Sequence, residues 1–161
     1  MWCANVTADV GALRRESIKF WLAVVGETNY RLIEKLNFPF YALDIKKDKF
    51  RLDIHEADKL VLYKAGAGGG FAGIFVVNGE PFESRTRVFP TKLFPLRIPL
   101  MVVSVLHDKL LPVSEVVAEL GFITTNKKRY AMHMASNLRE LTKADFMVLE
   151  DRIGKFSGRR K

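Results

Sequence analysis

The stretch that most constrains the fold is residues 58–77, which reads as strand, glycine loop, strand. Leu60, Val61, Leu62 and Tyr63 form one short apolar run, and Phe71, Ile74, Phe75, Val76 and Val77 form a second. Runs of this length, rich in β-branched and aromatic residues and bounded by turn residues, suit buried strands. Gly66, Gly68, Gly69 and Gly70 separate them. A glycine-rich loop between strand and helix can cradle phosphates, but no Gly-Lys-Ser/Thr follows this one, and the residues after it read as a strand. The loop is therefore read as a hairpin connection. Gly73 lies inside the second strand, where a glycine marks a bulge or a close approach.

The flanking segments build a β-rich middle with helices towards both ends. Residues 18–25 read as a first strand, ended by Gly26. Leu32, Ile33 and Leu36 make a helical stripe over 27–36, with Thr28 or Asn29 as cap and Glu27 favouring the N-terminus. Residues 38–43 are an aromatic-rich strand or loop, and 46–53 a polar connection. Asn78 and Gly79 signal a turn. Short strand pieces follow at 81–84 and 85–89, then a loop over 90–95. Residues 96–106 alternate as a strand, with Pro99 requiring an edge or bulge. Val113, Val116, Val117 and Leu120 sit at helical spacing, closed by Gly121. Tyr130, His133, Met134, Asn137, Leu138 and Leu141 fit one helical face. Thr142 and Asp145 can form a capping box before a last helix over 143–152. The expectation is a closed or nearly closed barrel over 18–106, or a strongly curved sheet, with helices packed outside it.

Length and charge narrow the partners. The chain has 161 residues, enough for one domain with a real core. The start lacks the order of a secretory signal and no apolar run has the length of a membrane helix, so a cytoplasmic location and no membrane partner are expected. A lone Cys3 leaves no internal disulfide and no cysteine-based zinc site. His55, His107 and His133 form no metal-ligand pattern, and no nucleophile elbow or Walker sequence is present, so no metal, no cofactor and no catalytic residue is assigned. The formal net charge is +8. A basic balance favours a polyanion, because lysine and arginine release counterions from phosphates. Arg85, Arg87, Lys92 and Arg97 crowd one region, and Lys127, Lys128 and Arg129 are consecutive. The tail carries Arg152, Lys155, Arg159, Arg160 and Lys161, and a solvated, disordered end explains it equally well.

Aromatic residues are the stronger signal. Most of them must be core, but rings beside polar or basic residues are what base stacking requires. Asn29 with Tyr30, Phe40 with Tyr41, Tyr63 with Lys64, and Ser84 are combinations of this kind. Several segments occur in a telling order: Trp21-Leu22, Asn29-Tyr30, residues 58–63, residues 70–77, residues 94–98 and residues 122–130. The set resembles the EVE domain, a PUA-like family related to YTH domains, over nearly the whole chain. The resemblance implies an α+β fold, a PUA-like β-pseudobarrel with flanking helices. It would span residues 18–153, between an N-terminal extension (1–17) and a basic tail (154–161). It also implies a pocket for a modified base, such as a methylated cytosine or adenine, in DNA or RNA. Tyr30 and Tyr130 stand where the family often has tryptophan. A tyrosine stacks with less area and adds a hydroxyl that needs a partner.

These readings place Asn29, Tyr30, Phe40, Tyr41, Tyr63 and Ser84 in one base pocket. They place Lys64, Arg85, Arg87, Arg97, Lys127, Lys128 and Arg129 on the phosphates. An enzyme or small-ligand protein acting on a nucleotide-like ligand in the same pocket is the competing reading. A third is a protein-interaction domain whose basic surface is incidental. The absence of a nucleophile–base pair favours binding over catalysis.

Overall fold

The computed structural model describes residues 17–44, 53–90, 92–123 and 138–158. Their strands are β1 (Phe20–Val25), β2 (Phe40–Leu43), β3 (Lys59–Lys64), β4 (Gly70–Val77), β5 (Phe82–Glu83), β6 (Leu96–Val105) and β7 (Leu138–Leu141). Two helices accompany them, α1 (Glu27–Lys35) and α2 (Lys143–Gly158). Among the described residues the strands join in the order β2-β6-β4-β3-β1-β7, with β5 also paired to β6. β1 runs parallel to β3, and the remaining pairs are antiparallel.

The central hairpin explains both the apolar runs and the internal glycine. Both faces of the sheet are buried, so β3 and β4 read as continuous hydrophobic segments instead of alternating ones. On one face Trp21, Ala23 and Val25 pack with Leu60, Leu62, Phe75 and Val77, and Tyr30 and Ile33 of α1 close over them. On the other, Leu22, Val61, Phe71 and Ile74 pack against Phe146, Leu149 and Ile153 of α2. Ala72 is an extra residue opposite the Leu62–Tyr63 step, and Val103 an extra residue opposite the Ile74–Phe75 step. Gly73 lies between these bulges. A Cβ there would stand 2.4 Å from the Ser104 carbonyl oxygen, so the close approach read from the sequence is real.

The bulges curl the sheet into a half-barrel. Backbone pairing leaves β2 at one edge, and a side chain bridges the opening: the Tyr41 hydroxyl donates to the Val24 carbonyl of β1 at 2.8 Å. The arrangement is the α+β, PUA-like pseudobarrel expected. Two further tethers fix its ends. Asp58 is buried and accepts from the Lys19 and His55 amides and from Trp21 Nε1. Asp145 is buried and accepts from the Gly121 and Phe122 amides, while the Thr142 hydroxyl oxygen accepts the Asp145 N–H as a helix cap.

Five local expectations change. Gly26, with no side-chain cap, precedes α1, and Thr28 and Asn29 lie inside the helix. Residues 85–89 carry no strand; only Phe82–Glu83 pairs there, with β6. Residues 113–120 form two short 3₁₀ turns, Val113–Glu115 and Val117–Glu119, not an α-helix. The extended Leu120 lets Val113, Val116 and Leu120 all reach the core without a full helical stripe. Leu138 and Leu141, expected on a helix, lie on β7, because β1 offers an unpaired edge that extended backbone satisfies. The last helix runs past residue 152 to Gly158 and buries Phe156, so residues 154–158 are helical. The extension read over 1–17 falls almost wholly outside the described residues.

Candidate nucleic-acid interface

Helix α1 separates two clefts. The first, about 770 Å³, lies between the start of α1 and the strap that follows β5; Glu27, Thr28, Arg31 and Leu32 face Arg87, Val88, Phe89 and Pro90. Glu27 and Arg31 are one helical turn apart, and Arg31 Nη2 donates to Glu27 Oε1 at 2.9 Å. Leu32, Val88, Phe89 and Pro90 give this cleft an apolar lining, and Arg31, Arg87 and Glu27 give it charged edges.

The strap is held in place by Arg97. Its guanidinium donates to the carbonyls of Thr86 (2.7 Å), Phe94 (2.8 Å) and Leu93 (3.3 Å), and lies 4.6 Å from the centre of the Phe40 ring. Arg97 is 3% exposed, and its burial lowers its pKa. Behind the cleft Phe89 is fully buried, edge-on to Phe94 (5.1 Å) and Phe40 (6.3 Å). At the root of the strap the Ser84 hydroxyl accepts the Thr86 N–H, and at its far end Arg87 donates to the Pro90 carbonyl.

The second cleft, about 510 Å³, lies on the other side of α1. Tyr30, Arg31 and Glu34 form one wall, Lys64, Gly68 and Gly69 another, and His107, Asp108, Lys109, Leu110 and Pro112 the third. Paired amides and carbonyls of Phe71 and Leu111 tie the glycine hairpin to this third wall. Gly68 has φ +71°, a conformation side chains disfavour, so the turn depends on glycine. Lys64 Nζ is 5.5 Å from the centre of the Tyr30 ring. Tyr30 is 3% exposed, and its hydroxyl has no hydrogen-bond partner among the described residues. Burial, with the Glu34 charge second, raises the Tyr30 pKa.

The six residues expected in one pocket are distributed. Tyr30 walls the second cleft, and Asn29 beside it is half-buried. Phe40 supports the first cleft from behind through Phe89, and half-buried Ser84 sits at the strap's root. Tyr41 is a core residue whose hydroxyl closes the barrel, with burial raising its pKa. Tyr63 packs on Phe71 in the α2-side core. Of the expected phosphate contacts, Arg85 and Arg87 are exposed, Lys64 is largely covered, and Arg97 is committed to backbone carbonyls. Lys127, Lys128 and Arg129 lie outside the described residues. Sequence reasoning passed over Glu27, Thr28, Arg31 and Phe89. The i,i+4 spacing of Glu27 and Arg31 is the one signal the sequence carries, and it does not differ from any helix-surface pair. Among the described residues no group of three His, Cys, Asp or Glu side chains could hold a metal ion, and no helix is long and apolar enough to cross a membrane.

No protein-family model matches the chain. A curated relative, a UPF0310 protein of Pyrococcus abyssi, is 25% identical over 145 residues, 83% of this chain and 98% of the relative. Among solved structures, a hypothetical protein from Leishmania major superposes with a TM-score of 0.60 at 12% identity, covering 88% of this chain and 98% of that one. Rpa0253 from Rhodopseudomonas palustris gives 0.57 at 13%, covering 86% and 94%. Human THYN1, solved in complex with DNA containing 5-methylcytosine, gives 0.58 at 12%, covering 84% and 97%. At such identities the likeness is one of fold. The EVE, PUA-like resemblance is borne out at that level, with THYN1 among the neighbours that share the pseudobarrel.

Proposed function

We propose that this chain is a nucleic-acid-binding module that seats a flipped-out, methylated base of DNA or RNA in the first cleft. The observation that carries the reading is the cleft's composition: an apolar lining of Leu32, Val88, Phe89 and Pro90, with arginines at its edges. Its volume falls in the range of small-ligand sites, roughly 300–1,000 Å³. A base requires a flat apolar surface and a few groups for its edge, and Thr28 and Asn29 at the start of α1 are the candidates for those groups. A phosphate backbone requires cations beside the opening, and Arg31, Arg85 and Arg87 are the candidates there. Phe40 and Ser84 act indirectly, by holding Phe89 and the strap. That a protein of the same fold is known in complex with methylcytosine-containing DNA supports the choice of ligand.

The test is fluorescence anisotropy with matched oligonucleotides, DNA and RNA, carrying cytosine, 5-methylcytosine, adenine or 6-methyladenine. Burying one methyl group is worth about 0.8 kcal/mol, so a methylated base should bind about fourfold tighter than its parent. Contact with three phosphates should weaken binding about 40-fold between 50 and 200 mM salt. Binding that ignores salt, or a small nucleotide binding as well as the oligonucleotide, would favour the competing small-ligand reading.

A further inference from the structure

We infer that Glu27 is an internal stand-in for a phosphate: its carboxylate occupies, between Arg31 and Lys64, the place that a phosphate of the bound strand takes over. The inference rests on the nucleic-acid reading above. Glu27 lines the first cleft, Lys64 the second, and Arg31 both. Arg31 Nη2 lies 2.9 Å from Glu27 Oε1, and Lys64 Nζ lies 3.8 Å from the same oxygen. One carboxylate oxygen therefore faces cations delivered by two different elements, a helix and the end of β3. An acid in the first turn and an i,i+4 pair are ordinary helix features. Lys64 is not part of the helix, and its side chain is only 15% exposed, so its convergence on Glu27 is a tertiary arrangement.

The geometry is incomplete in a way that a larger anion would repair. At 3.8 Å the lysine is beyond hydrogen-bond reach of the oxygen it faces. A phosphate presents more oxygens over a wider span than one carboxylate and can meet both cations. The buried Tyr30 hydroxyl, with Lys64 over its ring, is a donor with no acceptor among the described residues. In the free protein Glu27 keeps the two cations together while repelling stray anions. A strand whose base is seated in the first cleft brings its phosphate to the start of α1, between the two clefts, at high local concentration and displaces the carboxylate.

The experiment compares wild type with Glu27→Gln, which keeps the shape and removes the charge. The Glu27 side chain is 46% exposed, so the change leaves the core intact. Affinity for a methylcytosine oligonucleotide is measured by anisotropy at low salt, and pyrophosphate is titrated in parallel by amide chemical shift. An ion pair to a half-exposed carboxylate is worth up to about fivefold, so E27Q should bind the oligonucleotide about three- to tenfold tighter. Adding Lys64→Gln should cancel most of that gain. E27Q binding no tighter than wild type, where wild type binds, overturns the inference and leaves the nucleic-acid reading standing. If neither protein binds any oligonucleotide but E27Q binds pyrophosphate more tightly, the nucleic-acid reading fails and the anion stand-in remains.

Discussion

The two clefts beside α1 share Arg31 and differ in most other respects. The first is lined by Leu32, Val88, Phe89 and Pro90, and its shape depends on a strap clamped by Arg97. The second is lined by glycines, charged side chains and a tyrosine whose buried hydroxyl has no partner among the described residues. An apolar lining with a cationic edge suits a base and its backbone. A polar recess with lysine and arginine side chains on its walls suits an anion. Phe89 and Tyr30 are both almost wholly buried, so the contrast lies not in the rings but in the side chains and backbone around each opening.

The largest way to break the contrast is Phe89→Ala. Truncating a fully buried phenylalanine should cost about 3–5 kcal/mol, because it leaves a cavity beneath the strap. Thermal or urea melting should show that loss, and oligonucleotide binding should fall with it. Arg97→Met comes next. Three carbonyls lose their donor, and a buried unsatisfied group costs about 1–3 kcal/mol, so destabilisation of about 2–4 kcal/mol is expected. Were Arg97 a phosphate contact instead, the same change would flatten the salt dependence of binding and spare the melt.

Smaller changes sharpen the second cleft. Tyr30→Phe removes a hydroxyl that pairs with nothing among the described residues, so stability in the absence of ligand should hold or rise by about 1 kcal/mol. A fall of that size would mean the hydroxyl is satisfied in solution. The smallest effect lies away from both clefts. His55 Nδ1 is 3.1 Å from Glu80 and Nε2 is 3.1 Å from Asp53, a pairing that only the doubly protonated ring can donate to in full. The Glu80 hydrogen bond chiefly, with Asp53 and both charges adding, raises the His55 pKa. A raised pKa means the contribution is complete below the unfolded value near 6.5 and is lost as pH climbs through the folded value. Exposure limits it to a few tenths of a kcal/mol. His55→Gln should remove that part of the pH dependence and leave oligonucleotide affinity unchanged.

The fold was legible because its constraints are local or periodic. The runs around Leu60–Tyr63 and Phe71–Val77, the close approach at Gly73 and the existence of α1 all follow from patterning. The strand at Leu138–Leu141 was not, because an edge of β1 decides it, and residues 113–120 took short turns where helical spacing suggested one helix. The site was harder for a physical reason. Tyr41 and Tyr63 carry the same residue type as Tyr30, yet one closes the barrel and another packs under α2's face of the sheet. Arg97 and Arg87 sit in one basic stretch, yet one is buried by carbonyls and the other lines a cleft. Side-chain type sets what a residue can do; the curl of the sheet sets which residues are free to do it.

The central claim, that the first cleft takes the base, is tested most directly by titrating a short methylcytosine oligonucleotide into isotope-labelled protein and following each amide. The account predicts that Thr28, Leu32, Val88 and Phe89 shift together and saturate with one affinity, and that the unmethylated oligonucleotide moves them less at equal concentration. Shifts confined to Gly68, Gly69 and residues 107–110, or spread over surface lysines with Val88 and Phe89 unmoved, would contradict it.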